Sequence, residues 1–519
     1  MHKKKLWTLA LGLLFVLQAL AGVFFLVKFN QETGQQQQHL TQLQQQVGQL
    51  SQHTQTLLER QRETPSQQTI SAEVIAHARH ASVIVHTSVS ESAYYRIGSF
   101  QGSGVVVDKA KGLILTNAHV VGGNGSVASY QLEFADGTCV SAQLIYCDPW
   151  VDYAFLQCDP ARLPLATEQV TLSARSPEQG EPVLLLGNNA AEGLDAYTGT
   201  VSQTCLVVEP KNAQRDSLPI SMFSFKMKVY GGASGAGLFD AQGNLLGLST
   251  AASKLHGQAL DLDYIRYALP FVRQGKQPIR KHVGLVARLL PLELLAPHLG
   301  MSAEQVSAYK KEQQLSTAQV LVVGQLLKGS PAEGLLELGD LIERVDGKAV
   351  GTSLALLDRY LSEAAGPQVS LQLYRKGNRL TVQLPLYTLR GITRMVRFAG
   401  ALWFEADDTW ANELGVPRGT LTFRHIAPGS SLGSSPLFPH HTFYGSITHV
   451  EGKPISTLEA LVALIPQLQR QGHFTLHYLS YGKVQRVAGI SYKQQAQEPA
   501  KLLVRDAQGR WKEQPIAVH

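Results

Sequence analysis

Three side chains, far apart along the chain, are of the types needed to attack a carbonyl group: His119, Asp152 and Ser234. A serine hydroxyl is a weak nucleophile near neutral pH and needs a neighbouring base to take its proton as it attacks. An imidazole can do that, and a carboxylate beside it orients the ring and stabilises its protonated form. Ser234 lies in Gly231-Gly232-Ala233-Ser234-Gly235-Ala236-Gly237, where glycines permit a tight turn and leave backbone N–H groups accessible. The amides of Gly232 and Ser234 are therefore candidate donors to a developing oxyanion, an effect worth roughly 3 kcal/mol per donor. Taken singly, such features mean little. Gly102-Ser103-Gly104 reads as a turn, and His86 as a structural histidine.

The elements around these residues are short and β-rich. Ala81–His86, Gly104–Val107, Leu113–Thr116 and Ala154–Leu156 read as strands, and Asp136-Gly137 as a hairpin turn. His119 falls near the end of one such run, and Asp152 just before another. Many short strands over about 200 residues, with little helical periodicity, predict an all-β barrel domain. The chain order His, Asp, Ser is that of a chymotrypsin-like double barrel, and differs from subtilisin and the α/β-hydrolases. Beyond residue 281 two smaller units mix strands with helices, Leu354–Leu361 and Thr457–Leu468 being the clearest helical runs. Glu343-Arg344-Val345-Asp346-Gly347-Lys348-Ala349-Val350 in one unit matches Thr448-His449-Val450-Glu451-Gly452-Lys453-Pro454-Ile455 in the other, about 105 residues later, so the pair is an internal duplication.

At 519 residues the chain exceeds a single core, and about three domains are expected. The net charge of +6 is small, with 40 acids among 46 bases and no basic stripe interleaved with aromatics, which argues against nucleic acid as a partner. No metal or cofactor motif appears. Cys139, Cys147, Cys158 and Cys205 lack zinc-ligand spacing, and free thiols and a disulfide both remain open. Lys3-Lys4-Lys5 precede the apolar run Leu6–Val27, which as a helix would span about 33 Å, enough for a bilayer. Ala19-Leu20-Ala21 would suit a cleaved signal, but the run continues to Lys28, so a retained single-pass anchor in the inner membrane is expected, with the remainder exported. Leu40, Leu43, Val47, Leu50, Thr54 and Leu57 alternate in spacing between three and four through a glutamine-rich stretch, as in a short coiled coil or a linker. The expected divisions are 1–30 (cytoplasmic head and anchor), 31–66 (coil or linker), 67–280 (double barrel), 281–390, 391–492, and a tail, 493–519, with one hairpin signal at Asp506-Ala507-Gln508-Gly509 and no assigned role.

Gly102-Ser103-Gly104-Val105-Val106-Val107-Asp108 through Thr116-Asn117-Ala118-His119-Val120-Val121 resembles the opening of HtrA-type (Deg) serine proteases. Val183-Leu184-Leu185-Leu186-Gly187-Asn188, Tyr197-Thr198-Gly199-Thr200-Val201-Ser202 and Asn244-Leu245-Leu246-Gly247-Leu248-Ser249-Thr250 resemble later segments of that family. The resemblance implies a primary specificity pocket bordered by Ser249, Thr250 and Ala251, and a trimeric or higher homo-oligomer. It also implies ATP-independent cleavage of misfolded or regulatory envelope proteins. The chain departs from the family at Val229–Ala236, where Asn-Pro-Gly-Asn-Ser-Gly-Gly is usual, but keeps the glycine two before the serine.

Residues 281–390 resemble an HtrA-type PDZ domain, through His282-Val283-Gly284-Leu285, Gln319–Val323, Lys328–Ala332 and Gly339–Ile342. On that resemblance Val283, Gly284 and Leu285 would capture a peptide C-terminal carboxylate, the peptide adding as a strand to a sheet edge. Ala399-Gly400-Ala401-Leu402-Trp403 holds the matching place in the second, divergent PDZ-like unit, and Ile426–Ser431 the matching turn. There Leu437–Tyr444 replaces the expected Gly-Asp turn, so that unit either binds peptide or packs elsewhere. The expected architecture is mainly β, a double barrel followed by two PDZ-like α+β units. The expected function is a membrane-anchored serine endopeptidase. A catalytically inactive scaffold or chaperone that binds peptides through its PDZ units is the alternative.

Overall fold

The structure, a computed structural model, describes residues 70–94, 97–208, 219–252, 256–313, 319–435, 445–480, 484–492, 499–506 and 509–517. The expected anchor Leu6–Val27, the heptad stretch 31–66 and Leu437–Tyr444 lie outside the described residues. Among the described residues no helix is long and apolar enough to cross a membrane.

Helix α1 (Ala72–His80), capped by the Ser71 hydroxyl, leads into β1 (Ser82–Ser92). With β2 (Gly98–Asp108), β3 (Leu113–Thr116), β4 (Ser126–Glu133), β5 (Cys139–Cys147) and β6 (Ala154–Cys158), it closes a six-stranded barrel in the order β1-β2-β3-β6-β5-β4. A second barrel follows from β7 (Pro182–Gly187), β8 (Asp195–Val208), β9 (Ile220–Lys226), β10 (Gly237–Phe239), β11 (Leu245–Ala252) and β12 (His256–Asp261), in the order β10-β11-β12-β9-β8-β7. Helix α2 (Asp263–Arg273) then packs into the seam between the barrels.

These strands read as unbroken apolar runs because both of their faces are buried. Val106, Ile114 and Leu156 fill the first barrel, while their neighbours Val105, Val107, Leu113, Leu115 and Phe155 face the inter-barrel seam. In the second barrel Val183 and Leu185 point inward, and Leu184 and Leu186 meet the seam from the other side. The seam is thus the largest core among the described residues.

The next unit holds β13 (Lys281–His282), β14 (Leu285–Pro291), α3 (Leu292–Leu299), α4 (Ala303–Glu312), β15 (Gln319–Leu326), β16 (Leu341–Val345), β17 (Lys348–Ala349), α5 (Leu354–Glu363), β18 (Gln368–Arg375), β19 (Asn378–Pro385) and β20 (Tyr387–Thr388). Its sheet runs β14-β15-β16-β18-β19, so β14 is an edge, and β13 pairs instead with β20. The last unit repeats the plan with β21 (Arg394–Phe398), β22 (Ala401–Glu405), α6 (Asp408–Leu414), β23 (Leu421–Arg424), β24 (Gly445–Val450), β25 (Lys453–Pro454), α7 (Leu458–Gln471), β26 (His473–Ser480) and β27 (Val484–Ser491).

The duplication is physical. Asp346-Gly347 and Glu451-Gly452 both have positive φ (47° and 78°, 51° and 69°), the turn that joins β16 to β17 and β24 to β25. The acid's amide donates to Ser370 O at 2.9 Å in one unit and to Thr475 O at 3.0 Å in the other. The following helices are capped alike, by Ser353 and Thr457. The tail is part of this second unit: β28 (Lys501–Arg505) and β29 (Trp511–Pro515) form a hairpin that extends its sheet as β23-β22-β21-β28-β29.

Candidate active site

His119 opens a short 3-10 turn, His119–Val121, that ends at Gly122 with φ 83°. Its backbone N–H donates to Asp152 Oδ1 at 2.9 Å, and its Nδ1 lies 2.8 Å from Asp152 Oδ2. Asn117 Nδ2 donates to the Asp152 carbonyl at 2.9 Å, and the Thr250 hydroxyl bonds Oδ2. Burial alone would raise the Asp152 carboxyl. The His119 charge and the bonds from His119 and Thr250 overcome it and hold the group below the usual carboxylate range. Asp152 is therefore ionised near neutral pH. With Nδ1–H bonded to the carboxylate, Nε2 carries the basic lone pair of the imidazole.

Thr250 connects this pair to the serine. It sits on β11 beside Ser249, whose carbonyl accepts from Gly235 N at 2.8 Å and whose N–H donates to Ala236 O at 2.8 Å. The Ser234 carbonyl accepts from Ser103 N at 2.7 Å. Gly102 shows how closely the parts meet, since a methyl there would stand 2.6 Å from Val120 and 3.1 Å from Ser234 O. One glycine of β2 thus separates the residue following the histidine from the serine. The structure pairs His119 with Asp152, and Gly102 sets Val120, the residue after the histidine, beside the carbonyl of Ser234.

Gly102-Ser103-Gly104 is not the turn that its composition suggests. It lies inside β2, paired with β1 from Gly102↔Val85 to Gly104↔Val83. The glycines are needed for close approach rather than for turning, because a methyl at Gly104 would meet Ile114 at 2.8 Å. Ser103 is fully buried, donates to Gly232 O at 2.8 Å and accepts from Asn188 N at 2.9 Å. It fixes the turn that presents the Gly232 and Ser234 amides. Gly232 has φ 97°, and any Cβ there would fall 2.2 Å from Asn188 O, so only glycine fits. Asn189 steadies the segment before it, accepting from Tyr230 N at 2.7 Å. Ser103, Asn188 and Asn189 are supports that sequence reasoning did not single out.

Of the residues assigned to a specificity pocket, Ser249 and Thr250 are buried and engaged with the serine turn and the aspartate, while the side chain of Ala251 lies outside the described residues. A cleft of about 900 Å³ runs from Gly231 and Gly232 past Gln101, Ser99 and His86. The four cysteines are free thiols, Cys147 and Cys158 buried and Cys139 and Cys205 exposed.

In the first PDZ-like unit Val283 and Leu285 are buried and Gly284 has φ 88°. The Gly284 amide donates to His282 Nδ1 at 3.0 Å, and its carbonyl accepts from Leu327 N at 2.8 Å. Burial, assisted by Arg280, pulls the His282 imidazole down to about 3, which keeps Nδ1 an acceptor. Arg280 is 2.6 Å from Asp148 in the Asp152 segment and 3.6 Å from Asp358 on α5. In the second unit Ala427 N donates to Gly400 O at 2.7 Å, and Leu432 N to Ala399 O at 3.1 Å, matching Leu327 N on Gly284 O and Ala332 N on Val283 O. Ala399-Gly400 is therefore the structural counterpart of Val283-Gly284.

Residues 102–248 match the family model of the trypsin-like peptidase domain, and residues 297–386 that of the PDZ domain. Among curated relatives, Protease Do-like 7 of Arabidopsis thaliana is 25% identical over 441 residues, covering 80% of this chain and 39% of that protein. The pro-apoptotic serine protease NMA111 of Meyerozyma guilliermondii is 26% identical over 426 residues, covering 79% and 41%. The chain thus spans about two fifths of the length of these relatives. Among solved structures, the HtrA-type protease AlgW with a tripeptide is 24% identical, covering 62% of this chain and 97% of that one, with a TM-score of 0.46. The serine endoprotease from Yersinia pestis is 22% identical, covering 63% and 100%, with a TM-score of 0.41. The chain carries a trypsin-like peptidase domain joined to a PDZ domain, and the curated proteins similar to it include a Do-like protease and NMA111 serine proteases.

Proposed function

We propose that the chain is a serine endopeptidase in which His119, Asp152 and Ser234 form the catalytic triad. The observation that carries this reading is the Asp152 carboxylate, bonded to His119 on one side and, through Thr250, to the strand that holds the serine turn. Ser234 Oγ attacks the scissile carbonyl while His119 Nε2 takes its proton. The Gly232 and Ser234 amides stabilise the tetrahedral oxyanion, and His119 returns the proton to the leaving amine. Water, deprotonated by the same imidazole, then releases the acyl group and restores the serine. In the test, the full-length protein should take a fluorophosphonate label and degrade unfolded casein, and Ser234→Ala should do neither. A Ser234→Ala protein that degrades casein at the wild-type rate would refute the mechanism.

The finer parts of the reading rest on other features. Peptide C-termini would add along the open edge of β14 next to Val283-Gly284-Leu285. Leu6–Val27 would anchor the chain in the inner membrane with residues beyond 66 in the periplasm, so a reporter enzyme fused after Ser66 should be active only outside the cytoplasm. Misfolded or regulatory envelope proteins would be the substrates, cleaved without ATP because peptide hydrolysis needs no coupled energy source. The family resemblance supports a homotrimer or higher homo-oligomer, and sedimentation of the detergent-solubilised protein would measure its size.

A further inference from the structure

In the second PDZ-like unit the strand edge that a peptide would join is already taken. β21 pairs with β22 through Val396↔Trp403, Arg397↔Leu402 and Phe398↔Ala401, and β23 holds the other edge of β22. Ala399 and Gly400, with φ 54° and 82°, make the two-residue turn between β21 and β22. Phe398 is 2% exposed, lies 5.5 Å from Phe474 in a stacked arrangement, and accepts from Trp403 Nε1 at 2.9 Å through its carbonyl. The first unit leaves β14 open because its preceding segment, β13, departs to β20. The second unit folds that segment back and fills its own groove.

What the unit does instead follows from the face it turns to the first barrel. Ile392, Met395, Phe404 and Trp410 share one apolar core with Ala93 and Tyr94, which follow β1. The Tyr94 hydroxyl donates to Asp407 and its ring stacks on Trp410 at 5.8 Å. Arg397 pairs with Glu91, and Trp511 Nε1 donates to Ser126 O at 2.7 Å.

This contact lies behind the His119–Asp152 pair. Asn124, in the loop that begins at His119, donates through Nδ2 to Cys147 O at 3.1 Å and Asp148 O at 2.7 Å. One side chain thus ties the histidine loop to the aspartate loop. Gly391 lies directly against it, since a methyl there would stand 2.5 Å from Asn124 Cγ. A cavity of about 30 Å³ is lined jointly by Tyr94 and Thr409 and by Asn124 and Asp152. The second unit and the candidate aspartate share one wall.

We propose that the second PDZ-like unit is a brace acting within its own chain, not a peptide receptor. Asn124, with Gly391 packed against it and Tyr94 facing it across the shared cavity, is a positioning residue that sets Asp152 against His119. This rests on the endopeptidase reading. The test is the rate at which Ser234 of the full-length protein takes a fluorophosphonate label between pH 5 and 9. Gly391→Ala and Asn124→Ala should each slow labelling roughly 10- to 100-fold, the range that small misplacements of reacting groups produce. The double variant should be no slower than either single one, because both act through the same side chain. The midpoint of the pH profile should also fall, since a displaced carboxylate supports the imidazolium less. A merely structural lesion would cut the labelled fraction and leave the midpoint unmoved. Additive losses, or an unchanged midpoint, would overturn the brace. Should Gly391→Ala fail to fold, Tyr94→Phe, which removes one hydroxyl and keeps the stack, is judged by the same two outcomes. A wild type that takes no label sinks the endopeptidase reading and the brace with it. A labelled wild type whose variants keep its rate sinks the brace alone.

Discussion

Replacing Asp407 with asparagine should stabilise the protein at pH 8 and leave it nearly unchanged at pH 4. Asp407 caps α6, accepting from Trp410 N at 3.1 Å and from the Tyr94 hydroxyl, and its side chain is buried under the contact between the second unit and the first barrel. Burial pushes its carboxyl up to about 7 from an ordinary 3.8. The bonds from Tyr94 and Trp410 oppose the rise, and the neighbouring Asp408 adds to it. The folded protein therefore holds this proton more tightly than the unfolded chain does. Stability from that proton is fully present below about pH 4 and is lost as pH rises through about 7. The gap of about 3 pH units, at about 1.4 kcal/mol each, corresponds to at most about 4 kcal/mol at pH 8. Asparagine caps a helix as well as aspartate: its Oδ1 can keep the bond from Trp410 N while its amide group, in the place of Oδ2, donates to the Tyr94 oxygen, and it carries no charge to bury. The difference in unfolding free energy between the two proteins should grow from about zero at pH 4 to as much as about 4 kcal/mol at pH 8. Urea unfolding followed by tryptophan fluorescence would read it, since Trp403, Trp410 and Trp511 lie in this unit. A difference that stays constant from pH 4 to 8 would show that Asp407 is not held neutral, and the argument from burial would fail.

Ser103→Ala should lower kcat on a small ester or amide substrate roughly 10-fold with KM unchanged, because it removes about 1–2 kcal/mol of support from the turn carrying the Gly232 and Ser234 amides. An unchanged kcat would dissociate Ser103 from the oxyanion donors. Arg280→Met should destabilise the protein by about 3–5 kcal/mol at pH 8, since Asp148 and Asp358 would be left buried without their cation. The loss should shrink by pH 5, because burial, against the pull of Arg280, raises the Asp358 carboxyl to about 7 and it is then neutral; equal losses in urea unfolding at both pH values would contradict this. A peptide with a free apolar C-terminus, too short to be cleaved, should bind the first PDZ unit and change turnover of a small chromogenic substrate by about 5- to 150-fold. Val207 of β8 already packs against that unit's core, which gives the two parts a shared surface. Binding proven by calorimetry, with no change in turnover, would leave the unit as a tether only.

What could be read from the sequence was whatever a residue declares locally. Gly232 announces a turn that no side chain tolerates, and the phrases around Asp346-Gly347 and Glu451-Gly452 repeat because each must place two successive residues at positive φ. His119, Asp152 and Ser234 stand out as a candidate set by their types and order, and the structure pairs the first two. Gly102-Ser103-Gly104 was misread because its glycines answer to Val120, Ile114 and the serine loop, contacts made only once two barrels have closed. The tail seemed idle for the same reason: β28 finds its partner in β21, more than 100 residues earlier, and local pattern carries no trace of a pairing that distant. The second unit's sequence fits two readings because the feature that separates them is also non-local. Ala399-Gly400 matches Val283-Gly284 residue for residue, yet one glycine follows a strand that leaves and the other follows a strand that folds back. The same local motif thus yields an open sheet edge in one copy and a filled one in the other. Once that edge is filled, the apolar face beyond it lies against Tyr94, behind the segment that carries the candidate aspartate.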